Sequence, residues 1–164
     1  MLYFSYAANL NRAHMARLCP GAKPLNQAFM EGYELTVRRW FNVEPKEGGN
    51  VQGGIWRISR KHLARLDSYE DSPELFERRT VRVNRAEHGG NSDARMPVAL
   101  TRGHGDTETR REIVSCLVYM MSEPFAFPLS PPEPGYLEMV REGYREWRIP
   151  SEQVEEALRV VSNV

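Results

Sequence analysis

Hydrophobic positions along the chain change period several times, and each change predicts an element. Residues 2–6 (Leu-Tyr-Phe-Ser-Tyr) are apolar and aromatic, as strands prefer. The run stops at Ala7-Ala8-Asn9, and Asn11 is placed to cap a short helix that reaches Leu18 and ends before Pro20-Gly21. Residues 27–41 read as one strand, with Phe29, Tyr33, Leu35, Val37 and Trp40. Residues 45–50 (Pro-Lys-Glu-Gly-Gly-Asn) read as a loop. Residues 51–58 form a further strand, in which Gly53-Gly54 predicts a bulge or a close backbone approach. Ser59 is a cap candidate for a helix carrying His62, Leu63 and Leu66.

Residues 76–84 alternate as a half-buried strand. A turn at 88–91, a strand at 96–101 and a polar loop at 103–111 follow. Residues 113–121 form another strand, with Val114, Cys116, Val118 and Met120 on one face. Five prolines between 122 and 134 exclude helix and central strand there. Tyr136, Val140, Tyr144 and Trp147 then recur at helical spacing, and Ser151 is expected to cap a last helix. About six strands with few intervening helices, and hairpin-like spacing from 76 to 121, predict an α+β class with mostly antiparallel pairing. Such a sheet could curl into a small barrel. No linker splits the 164 residues, so residues 1–164 are expected to form one domain.

Composition narrows the function classes. Lys plus Arg equal Asp plus Glu at 22 each, which argues against a nucleic acid or an anionic membrane surface as partner. No apolar run approaches the ~18 residues of a membrane span, and no leader is evident. The distant Cys19 and Cys116 read as reduced thiols, and a cytoplasmic location is expected. His14, His62, His88 and His104 share no ligand spacing, so neither a metal nor another cofactor is expected.

One stretch runs against local preference. The helix from about Arg60 meets Asp67, Glu70, Asp71 and Glu74 at its C-terminal end. Helix C-termini favour cations by roughly 0.3–1 kcal/mol per charge. A carboxylate placed there is a candidate for chemistry, and a solvated acidic turn is the competing reading. The junction at residues 6–10, a strand entering a helix N-terminus, aims backbone N–H groups outward as a potential anion site.

Three stretches together resemble the γ-glutamylcyclotransferase family, in the branch of avirulence-induced-type and butirosin-biosynthesis acyltransferase-like proteins. They are Tyr3-Phe4-Ser5-Tyr6-Ala7-Ala8-Asn9-Leu10; Gly53-Gly54-Ile55-Trp56-Arg57-Ile58 with Leu63-Ala64-Arg65-Leu66-Asp67-Ser68-Tyr69-Glu70; and Pro131-Pro132-Glu133-Pro134-Gly135-Tyr136 with Gly143-Tyr144 and Ile149-Pro150. The resemblance implies a five- or six-stranded barrel with peripheral helices and a small-molecule γ-glutamyl substrate. It implies Glu70 as general acid/base, residues Ser5, Tyr6, Ala7, Ala8, Asn9 and Leu10 as the loop holding the γ-glutamyl group, and Tyr136 as a substrate contact.

Three positions depart from the family pattern. Ala7 and Ala8 stand where the family has Gly and Ser, and Phe76 stands at a second substrate-contacting tyrosine. If the first position needs a positive φ, Ala7 carries strain of order 1 kcal/mol or forces another turn. The implied reaction is cyclisation to 5-oxoproline with release of an amine or amino acid, by a monomer or homodimer. A ligand-binding protein without turnover on the same fold is the alternative. Glu70 argues against it, because a buried carboxylate does not help to bind an anionic ligand.

Overall fold

The computed structural model describes residues 1–86 and 112–163. The turn at 88–91, the strand at 96–101 and the loop at 103–111 lie outside them. Five strands of the described residues close a barrel in the order β1-β3-β2-β4-β5: β1 (Leu2–Ser5), β2 (Lys23–Arg38), β3 (Trp40–Arg57), β4 (Phe76–Arg85) and β5 (Glu112–Met121). Four α-helices of the described residues surround it: α1 (Arg12–Leu18), α2 (Arg60–Tyr69), α3 (Pro134–Trp147) and α4 (Glu152–Ser162). The class is α+β with a mixed barrel. Strand β1 runs antiparallel to β3 and parallel to β5, and the other pairings are antiparallel. No helix of the described residues is long and apolar enough to cross a membrane.

The long β2–β3 hairpin corrects two expectations. The stretch 27–41 is not one strand, because the chain reverses at Arg39, whose φ is +68°. Residues 45–50 are not a loop but part of β3, paired as Tyr33↔Pro45 and Glu31↔Asn50 across a bulge. The ladder satisfies the backbone of this Gly- and Pro-containing segment, which outweighs its weak strand preference. A buried Arg38–Glu44 ion pair at 2.7 Å braces the turn, and Arg38 also donates to Phe127 O at 2.7 Å. That bond and the Arg39 N→Ser130 O bond tie the proline-rich segment to the hairpin.

Helix starts follow local chemistry in two cases out of three. Asn11 accepts from His14 N, and Ser59 accepts from His62 N in a capping box. Ser151 does not cap α4 with its side chain. Its backbone is already helical, at φ −84° and ψ −1°, and its carbonyl accepts from Val154 and Glu155 instead.

The predicted face of α3 is the buried one: Val140, Tyr144 and Trp147 pack on the barrel. The paired glycines allow this contact. A Cβ on Gly54 would lie 2.6 Å from the Trp147 ring, and one on Gly53 would overlap Ser5 O and the Phe4 ring. Trp147 Nε1–H donates to Leu10 O at 2.7 Å and the Tyr144 hydroxyl donates to Tyr6 O at 2.8 Å. Helix α3 thus clamps the segment between β1 and α1.

Candidate active site

The C-terminal end of α2 sets the position of Glu70. Its amide donates to Leu66 O as the helix closes. Asp71 follows at φ +48°, a left-handed conformation that Asp tolerates, and Ser72 N donates back to Asp67 O. This Schellman-type ending reverses the chain at Glu70 and turns its carboxyl inward.

The carboxyl meets the end of β1. Asn9 Nδ2 donates to Glu70 Oε1 at 2.8 Å and to the Tyr3 hydroxyl at 2.8 Å. A cavity of about 190 Å³ opens beside it, lined by Ser5, Tyr6, Ala7, Ala8, Asn9, Glu70, Phe76 and Tyr136. Eight of the nine residues singled out from sequence therefore share one cavity. Leu10 does not line it: the side chain is fully buried in the core, and its carbonyl anchors Trp147.

The departures from the family pattern are absorbed locally. Ala7 adopts φ −140° and ψ −128°, outside the left-handed region, so the strain of a positive φ does not arise there. The amides of Leu10 and Asn11 close a 3-10 turn by donating to Ala7 O and Ala8 O. The Ala8 and Asn9 amides precede that pattern and have no acceptor within it. Phe76 presents its ring to the cavity with no hydroxyl.

Burial pushes the Glu70 carboxyl up from 4.5 to about 7. The Asn9 hydrogen bond opposes the rise and the neighbouring Asp71 charge adds to it. Burial, reinforced by the Glu70 charge, also raises Tyr3 and Tyr6 well above their ordinary values. Their hydroxyls are neutral at physiological pH. Tyr136 accepts from Phe41 N at 3.2 Å and stacks on the Phe41 ring, so it serves both the core and the cavity wall.

Other titratable groups are committed elsewhere. Asp67 accepts from the Tyr119 hydroxyl at 2.7 Å and pairs with Arg78 at 3.1 Å, which leaves it in a structural role. Arginines of β4 point to a solvated face on which Arg79 pairs with Glu77 and Arg85 with Glu112. Both cysteines are free and buried, and burial raises each thiol to about 11, so neither is a poised nucleophile.

Tyr69 also lines the cavity, as do Trp40, Phe41, Leu75 and Tyr119, which sequence reasoning did not select. Trp40 and Phe41 had read as the end of an unbroken strand. The signal that existed was the aromatic Trp-Phe pair beside a cationic Arg-Arg, at what proves to be the turn. His14 was also missed; its Nε2 lies 3.1 Å from Asn9 Oδ1.

The described residues thus form a closed mixed barrel with a desolvated acid facing the end of its first strand. The chain belongs to the family described as "Gamma-glutamyl cyclotransferase, AIG2-like", whose model matches residues 3–136. No curated protein matches it by sequence. Among solved structures, it is similar to a protein described as "Gamma-glutamyl cyclotransferase", at 20% identity and TM-score 0.71, over 96% of this chain and 85% of that one. The uncharacterised human protein loc79017 matches at 20% identity and TM-score 0.69, over 95% and 85%. YkqA from Bacillus subtilis matches at 17% identity and TM-score 0.66, over all of this chain and 55% of its own. At these identities the likeness is one of fold.

Proposed function

We propose that this protein is an enzyme that releases 5-oxoproline from a γ-glutamyl amide, with Glu70 as general acid/base. The carrying observation is that Glu70 lies in a cavity beside the 5–9 segment, with its carboxyl pushed up to about 7. A group near the working pH both takes and returns a proton readily.

The substrate's α-amine attacks its own γ-carbonyl carbon, and Glu70 takes the proton the amine loses. The new C–N bond closes a five-membered ring. The original amide C–N bond then breaks, and Glu70 returns the proton to the departing nitrogen. Tethering supplies most of the proximity advantage, so the protein must hold the cyclisable conformer and manage charge. The amides of Ala8 and Asn9 hold developing or resident negative oxygen. Trp40, Phe41 and Phe76 wall the remaining space, which favours a leaving amine with an apolar body.

The test is 5-oxoproline release from a panel of γ-glutamyl amides and dipeptides. Product from at least one, abolished by Glu70→Gln, is the expected result. Tight binding of the panel without product identifies a binder and removes the enzymatic reading.

A further inference from the structure

The Asn9 carboxamide stands between two titratable groups. On one side Nδ2 donates to Glu70 Oε1 and to the Tyr3 hydroxyl, both at 2.8 Å. On the other, Oδ1 lies 3.1 Å from Nε2 of His14, which sits on the first turn of α1. Oδ1 is an acceptor only, so Nε2 must carry the hydrogen. We propose that His14 is a positioning residue: its Nε2–H bond locks the Asn9 carboxamide with the NH₂ turned to Glu70.

The lock matters because Glu70, in the function proposed above, alternates between two states. Ionised, it accepts from an N–H and repels an oxygen. Protonated, it can donate, and a flipped Asn9 would then offer Oδ1 to receive that proton. A flip would stabilise the acid form and raise the proton affinity of the base. His14 removes that option by holding Oδ1 on its far side.

The ring is itself well held. His14 packs on Tyr69 with centroids 4.8 Å apart, half-buried, and does not line the cavity. Its burial and the charge of Arg17 on α1 lower its pKa, so the ring is neutral and one tautomer serves. Of the titratable groups around Glu70, Asp71 beside it raises its pKa by charge, while Tyr69 on α2, Tyr3 and Tyr6 at β1, Tyr119 on β5 and Tyr136 on α3 each feel the Glu70 charge. All five tyrosines have raised pKa values and stay neutral, and Asp71 is the one carboxylate in this set.

The experiment compares wild type, His14→Phe, which keeps a ring against Tyr69 but has no donor, and His14→Gln, whose amide can donate to Oδ1. The Glu70 carboxyl is titrated by ¹³C NMR, assigned by its loss in Glu70→Gln. In His14→Phe it should titrate about half to one pH unit higher. The acid limb of kcat/KM should move with it, a roughly three- to tenfold loss on the acid side. His14→Gln should restore most of the wild-type curve. Unchanged Glu70 titration in His14→Phe, or a His14→Gln curve identical to that of His14→Phe, overturns the proposal. In wild type, ¹⁵N NMR should report the Nε2–H tautomer; Nδ1–H overturns it without any variant. The two NMR readouts need no turnover, so absence of 5-oxoproline would refute the proposed reaction and leave the His14 result standing.

Discussion

Asn9 and Glu70 are 61 residues apart in sequence, and their side chains share a 2.8 Å hydrogen bond at the wall of the cavity. One comes from the turn after β1 and the other from the end of α2. The bond is the point at which the barrel and its first two helices meet.

In the proposed reaction, Glu70→Gln keeps the shape and removes the proton carrier. Turnover should fall about 10²- to 10⁴-fold with far-ultraviolet circular dichroism unchanged. Release of 5-oxoproline at the wild-type rate would take Glu70 out of the mechanism.

The same substitution should stabilise the fold at neutral and alkaline pH. The folded pKa is about 7 against 4.5 for the ordinary carboxyl, so the folded state holds this proton more tightly than the unfolded chain. The contribution to stability is therefore complete below pH 4.5 and is lost as pH rises through about 7. Denaturant titrations should show Glu70→Gln level with wild type near pH 4 and roughly 2–3 kcal/mol more stable near pH 8. Parallel curves across that range would mean the carboxyl is not desolvated.

Asp71 acts on Glu70 by charge and on the turn by shape. Asp71→Asn retains a residue that tolerates φ near +48° and removes the neighbouring negative charge. The acid limb of the pH–rate profile should move down by a few tenths of a unit, since that charge raises Glu70. Asp71→Val should cost about 1–2 kcal/mol in denaturant unfolding, because a β-branched residue is strained at positive φ.

Gly54→Ala would place a methyl group 2.6 Å from the Trp147 ring. The ring carries the bond to Leu10 O, so its displacement should loosen the 5–10 segment. The expected loss is about 1–3 kcal/mol, with KM rising more than kcat falls. An unchanged melting temperature would show that the helix can shift freely.

Tyr136→Phe leaves the buried Phe41 N–H without its acceptor. The cost should be about 1–2 kcal/mol, measured by denaturant unfolding. A substrate contact at the same hydroxyl would appear separately, as a rise in KM.

The amino-acid sequence by itself determined the local devices. Asn11 and Ser59 are caps because a side-chain oxygen can reach an amide three residues on, whatever the fold around it. The face Val140–Tyr144–Trp147 is legible because helical spacing records burial directly. Gly53-Gly54 announced a close approach, though not that a tryptophan and a phenylalanine would fill the space. Glu70 stood out as an acid at a helix end that local electrostatics disfavours. Tertiary structure decided what these parts became. The reversal at Arg39 has no turn residue to mark it; ladder bonds from Lys23–Arg57 to Arg38–Trp40 impose it from outside. Neither Trp40 nor Tyr119 advertises the cavity, because each reads locally as part of a strand. They converge only when β1 pairs with both β3 and β5 and the barrel closes. Periodicity and capping are written within a few residues of chain, whereas a cavity and its proton affinity arise from contacts among segments that no short stretch encodes.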